Sequence, residues 1–176
     1  MILYGLQHSC MTLKNNNRID AWQARQLRRV IGIKASYYSR TTNDIVLKQA
    51  DTTTFSQQIL ANQIKYLGRI LRAEDHETIK TITLTKSRNY RTLDSHRRKG
   101  HPRAHWLPTL TQDIDELIHS TPSHLPHSFP TTPSFHPTFF PYAALSHLAA
   151  DFSQWSKVCS LPTRRLPTLQ TQHGDT

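Results

Sequence analysis

Cysteine is nearly absent from the 176 residues: only Cys10 and Cys159 occur, 149 positions apart. Two thiols so placed cannot build a disulfide framework, and they fit a reducing compartment. Long apolar runs are missing too. No stretch reaches the roughly 18 consecutive apolar residues of a membrane helix. The opening Met1-Ile2-Leu3-Tyr4-Gly5-Leu6 has no basic residue before it and is broken by Gln7 and His8, which is unlike a secretory signal. The chain is therefore expected to be intracellular, in nucleus or cytoplasm, with no membrane partner. Acids are scarce, 12 against 22 Lys+Arg, leaving a formal charge of +10 with eleven His neutral. Apolar residues are scarce as well, at 36% against the roughly 45–50% of globular domains, so the core should be modest. The length suits one domain, or one domain and a tail.

What charge there is, is unevenly spread. Residues 1–50 carry eight Lys/Arg and two acids, residues 51–106 eleven and five, and residues 107–176 three and five. Proline runs the other way: Pro102 is the only one before position 108, and the other nine lie at or beyond it. A boundary near 106–120 follows. The expected organisation is a basic helical domain over 1–118, a Pro/Ser/Thr/His-rich linker over 119–141, a C-terminal helix over 142–159 and a disordered tail over 160–176. Six prolines in the 22 positions from Ser120 to Pro141 leave little for a regular element to be built from. The fold class is mainly α.

Helical spacing organises the basic part. From Asn17 to Gly32, Ile19, Trp22, Gln26/Leu27 and Val30 recur at three- to four-residue steps, with Asn17 able to cap and Gly32 able to stop the helix. Arg18, Arg25 and Arg29 then share the opposite face, with Arg28 at its margin. Thr42 can cap a short helix over 43–50, where Asp44 suits the positive end of the dipole. Thr54-Phe55-Ser56-Gln57 has the capping-box pattern, and Phe55, Ile59, Leu60, Ile64, Leu67, Ile70 and Leu71 follow on one stripe. Lys65, Arg69 and Arg72 lie on the wet side of that helix. Gly68 in its interior costs about 1 kcal/mol relative to Ala and marks a close helix crossing. Residues 79–85, rich in Thr and Ile, suggest a short strand or extended linker, with a helix as the alternative.

Arg97, Arg98, Lys99, His101 and Arg103 surround Gly100 and Pro102, and Trp106 closes the run. Such a segment offers flexible phosphate donors and one aromatic face for a base or for the core. A short helix after Pro108 places Trp106, Leu110, Ile114 and Leu117 on one side. Leu145, Leu148, Phe152, Trp155 and Val158/Cys159 fit one more helix. Trp22 and Trp155 read as core anchors.

Other chemistry finds little support. Asp113, Asp115 and Glu116 are close in sequence, but neighbouring helical positions diverge, so a shared metal is not expected. His101 and His105 have i,i+4 spacing without a helix to hold it, and no Cys lies near. Five of the histidines fall between 119 and 147 and read as compositional drift. No metal, cofactor or catalytic thiol is expected.

Leu3-Tyr4-Gly5, then Arg18-Ile19-Asp20-Ala21-Trp22 running into Leu27-Arg28-Arg29-Val30-Ile31-Gly32-Ile33, resembles the segment after the catalytic palm in reverse transcriptases of LINE-type (non-LTR) retrotransposons. Later pieces keep the order. Thr42-Asn43-Asp44-Ile45-Val46-Leu47 is similar to the family's threonine-asparagine short helix, and Leu67-Gly68-Arg69-Ile70-Leu71-Arg72 to its tryptophan-leucine-glycine-histidine helix. Arg98-Lys99-Gly100-His101-Pro102-Arg103-Ala104-His105-Trp106 resembles its glycine-arginine-proline-arginine-x-x-tryptophan motif. Leu148-Ala149-Ala150-Asp151-Phe152-Ser153-Gln154-Trp155 resembles its closing alanine-x-aspartate-arginine-x-x-tryptophan helix. His101 and Phe152 stand where the family has arginine, and the Pro/His/Phe insertion is unlike it.

The resemblance implies a thumb-side or post-palm fragment of an RNA-directed DNA polymerase, without the metal-holding palm aspartates and inactive alone. Its partners would be the backbone of a template-primer duplex, RNA or DNA, and the missing palm. The expected contacts are Arg18, Arg25, Arg28, Arg29, Lys65, Arg69, Arg72, Arg97, Arg98, Lys99, Arg103 and Trp106, gathered from separate helices on a shared side. Binding should ignore base sequence, since nothing resembles a recognition helix. The other readings are a stand-alone basic nucleic-acid-binding or interaction protein, and a non-functional remnant. A fragment should leave Ile or Leu of the 54–73 stripe uncovered where the palm once packed, whereas complete burial counts for an independent domain.

Overall fold

A computed structural model describes Leu3 and residues 5–84, 106–120 and 142–161. After a 3-10 turn at Leu6–His8 come α1 (Leu13–Ile31), α2 (Ser36–Ser39), α3 (Asn43–Gln49), α4 (Phe55–Arg72), α5 (Thr78–Thr83), α6 (Trp106–Ser120), α7 (Tyr142–Ala150) and α8 (Phe152–Ser160). The chain is mainly helical. The linker expected over 119–141 and the tail expected over 160–176 lie almost wholly outside the described residues.

The start of α4 is the best-explained piece of backbone. Thr54 and Gln57 form the full capping box, satisfying two of the donors that every helix start leaves without an intrahelical partner. The next two are taken from α1: the Phe55 amide donates to Gln23 Oε1 at 2.7 Å, and the Ser56 amide to Asp20 Oδ1 at 2.9 Å. The Asp20 carboxylate also accepts from the Ser56 hydroxyl at 2.6 Å, and its charge suits the positive end of the α4 dipole. Gln23 Nε2 donates to Thr53 O at 2.9 Å. A polar lock therefore docks α1 on α4.

That lock corrects the face assigned to α1. Gln23, Ala24 and Arg28 are its buried residues, while Val30 is 84% exposed and Trp22 stands at the surface, tilted against Phe55 at 6.2 Å. Trp22 is not a core anchor. The helix also starts earlier than Asn17, on Thr12, whose side chain accepts from the Asn15 amide. Gly32 ends it at φ 78°, a left-handed backbone that glycine adopts without cost.

The core forms on the other sides of α4. Ile64, Leu67 and Leu71 pack with Leu107, Leu110 and Ile114 of α6 and with Leu145, Leu148, Trp155 and Val158 of α7 and α8. Each fully buried side chain of this size contributes on the order of 2 kcal/mol. The C-terminal helices thus belong to the same core as residues before 118 rather than to an appended element. They are two helices, not one, because the Asp151 side chain accepts from the Ser153 and Gln154 amides and starts α8 afresh. Pro108 sits inside the first turn of α6, where its missing amide hydrogen costs nothing.

Two more expectations are corrected. Residues 78–83 are helical instead of extended: the Thr81 and Thr83 hydroxyls donate back to Glu77 O and Ile79 O, and Lys80 ties the turn to Ala73 O and Asp75. No Ile or Leu of the 54–73 stripe is exposed, although its burial is not complete: Ile59, Ile64, Leu67, Ile70 and Leu71 are buried, while Phe55 and Leu60 are half-buried.

Candidate nucleic-acid interface

Because Asp20 and Gln23 dock on the start of α4 and Ala24 beside them is buried, the opposite side of α1 is left to solvent. Lys14, Arg18, Arg25 and Arg29 recur on it at steps of four, seven and four, and all are exposed. Lys14, Arg18 and Arg25 have no hydrogen bond or ion pair with any described residue, and Arg29 has only a long contact to Gln26 Oε1 at 3.5 Å. The stripe is thus unneutralised. Lys14 was missed in the sequence only because the helix was begun too late.

Arg28 has to be withdrawn from the phosphate contacts. It is 6% exposed, and its guanidinium donates to Asn43 Oδ1 and to Thr41 O, each at 2.8 Å. Among the described residues no carboxylate pairs with it; two oxygen acceptors and the negative end of the α1 dipole offset its burial. Its Nε is buried without a partner.

Lys65, Arg69 and Arg72 are exposed along the solvent strip of α4. Arg72 is committed in part: Nη1 donates to Ala149 O at 3.0 Å and the guanidinium lies 5.5 Å from the Phe152 ring centre, capping the end of α7. Lys65 and Arg72 are close enough to favour the Cys159 thiolate, yet burial outweighs them and pushes that thiol up. The described cations thus lie in two strips, one on α1 and one on α4.

Trp106 packs at the rim of the core, edge-on to Tyr66 at 5.8 Å, with its indole N–H buried. Its ring is not an open platform for a base. Arg97, Arg98, Lys99 and Arg103 lie outside the described residues.

A cavity of about 400 Å³ opens between the N-terminal segment, α4 and α6, where Cys10, Asn16, Gln63, Trp106, Asp113 and Glu116 line it. Burial first, and then the Glu116 charge, push the Asp113 carboxyl up. Its two acids make the cavity unsuited to a phosphate. Among the described residues no three His, Cys, Asp or Glu come together as a metal site, and no helix is long and apolar enough to cross a membrane.

The loop after α1 carries a feature that no apolar period picks out. Tyr37 and Tyr38 are 87% and 76% exposed, in a chain segment whose neighbours Lys34 and Arg40 are exposed cations. The signal available was two adjacent aromatics between basic residues. No protein-family model, curated protein or solved structure matches the chain.

Proposed function

We propose that this chain is a non-catalytic domain of reverse-transcriptase descent that holds nucleic acid by its backbone, without reading base sequence. The observation that carries the proposal is the α1 stripe of Lys14, Arg18, Arg25 and Arg29, exposed and without carboxylate partners among the described residues. Four exposed cations on one helical face offer charge to a phosphate backbone and no group placed to read a base edge, so affinity without base preference is the expected behaviour. The covering of most of the α4 stripe supports a unit that binds on its own, and the ordered motif resemblance supports a template-primer duplex as the partner.

Equilibrium binding of the chain to a labelled duplex across a salt series tests this. With about four phosphate contacts, log K should fall against log salt with a slope of about −3 to −4, and two unrelated duplex sequences should bind alike. A flat salt response, or binding that depends strongly on sequence, would contradict it.

A further inference from the structure

Residues 33–41 form a loop whose neck is Arg28. At one end the Ile33 amide donates to Arg28 O at 2.9 Å. At the other, the Arg28 guanidinium donates to Thr41 O at 2.8 Å, and to Asn43 Oδ1 just beyond. One buried arginine thus ties both ends of the loop to the end of α1. The short α2 turn at the tip carries Tyr37 and Tyr38, whose rings meet edge-to-face, centroids 5.3 Å apart at 87°. Two rings at right angles each keep a face open to solvent, and both tyrosines are largely exposed.

The charge around them has one sign. Between Ala21 and Asn43 there is no acid, while Arg25, Arg28, Arg29, Lys34 and Arg40 all fall there. Apart from the buried Arg28, these cations are exposed. A matching partner must alternate anionic groups with flat apolar faces. An unpaired nucleic-acid strand does this, whereas in a duplex the base faces are already stacked on one another and only the phosphates remain.

We infer that Tyr37 and Tyr38 form a stacking platform for unpaired bases, beside Lys34, Arg40 and Arg29 as phosphate contacts, so that the protein engages a single strand next to the duplex held by α1. This rests on the reading of the α1 stripe as a backbone-binding surface. The ligand class is unpaired RNA or DNA of any sequence, because every base offers a face to a tyrosine.

The test compares a short labelled oligothymidylate with a blunt duplex of the same length, using the full chain and its Y37A/Y38A and Y37F/Y38F variants. The alanine pair should weaken oligothymidylate binding about tenfold or more and leave duplex binding within about twofold, while the phenylalanine pair binds both as the parent does. Equal losses on both ligands, or no loss on the single strand, would overturn the platform while leaving duplex binding by α1 intact. In the latter case, self-association that disappears in the alanine pair would assign the tyrosines to a protein contact instead. If the parent chain binds neither ligand, the backbone reading falls and the platform with it.

Discussion

Gly68 of α4 and Trp155 of α8 meet where the two helices cross, and a β-carbon built on Gly68 would overlap the Trp155 indole outright. Trp155 is 2% exposed, with its Nε1 buried and unpartnered, so the ring has nowhere to retreat. Gly68→Ala should therefore destabilise the fold by about 1–3 kcal/mol through overpacking, although alanine is the better helix former by about 1 kcal/mol. Urea denaturation measures it. An unchanged or higher midpoint would mean that the crossing is looser than described, and Trp155→Leu should cost less in the Gly68→Ala background than in the parent.

Arg28 holds the neck of the 33–41 loop, and removing it should act on stability and on the loop together. Arg28→Ala is expected to cost about 2 kcal/mol, the loss of two charge-assisted hydrogen bonds. Tryptic cleavage after Lys34 and Arg40 should become faster. Arg28→Lys should rescue only part, since an ammonium lacks the planar fork that reaches both acceptors. Arg25→Ala, which removes an exposed cation, should change stability by less than about 0.5 kcal/mol.

Asp113 sets a pH dependence with a definite sign. Its carboxyl is pushed above the ordinary 3.8 by burial and by Glu116, so the folded state holds its proton more tightly than the unfolded state does. Stability from this group is fully present below 3.8 and is lost as pH rises through the raised folded value. Asp113→Asn should therefore stabilise the protein at neutral pH and make little difference in acid well below that range. Thermal unfolding of both forms across pH checks this. An Asn variant equally destabilised at every pH would assign Asp113 a structural hydrogen bond instead.

Much of α4 was legible because its signals are local. The Thr54/Gln57 capping box, the apolar stripe and the interior Gly68 are each read from a few adjacent residues. The face of α1 was not, since it docks through Asp20 and Gln23 onto amides more than thirty positions away, a polar contact that hydropathy spacing points away from. Trp22 and Val30 looked inward by period and turned out exposed for that reason. The break at Asp151 was visible as a capping residue and was overridden by the apolar spacing on either side. Arg28 differs from Arg25 and Arg29 only in lying at the edge of the helix face, and its partners Thr41 and Asn43 come from a segment whose path no period reveals.

The α1 stripe is the centre of the account, and its most direct test is the salt slope of duplex binding for an R18Q/R25Q/R29Q variant beside the parent chain. Each cation that touches a phosphate contributes about 0.9 to the slope, so the variant should be shallower by about 2 to 3 units, with its unfolding midpoint unchanged. A slope equal to the parent's would mean that nucleic acid, if bound, lies elsewhere, and would contradict the function assigned to this helix.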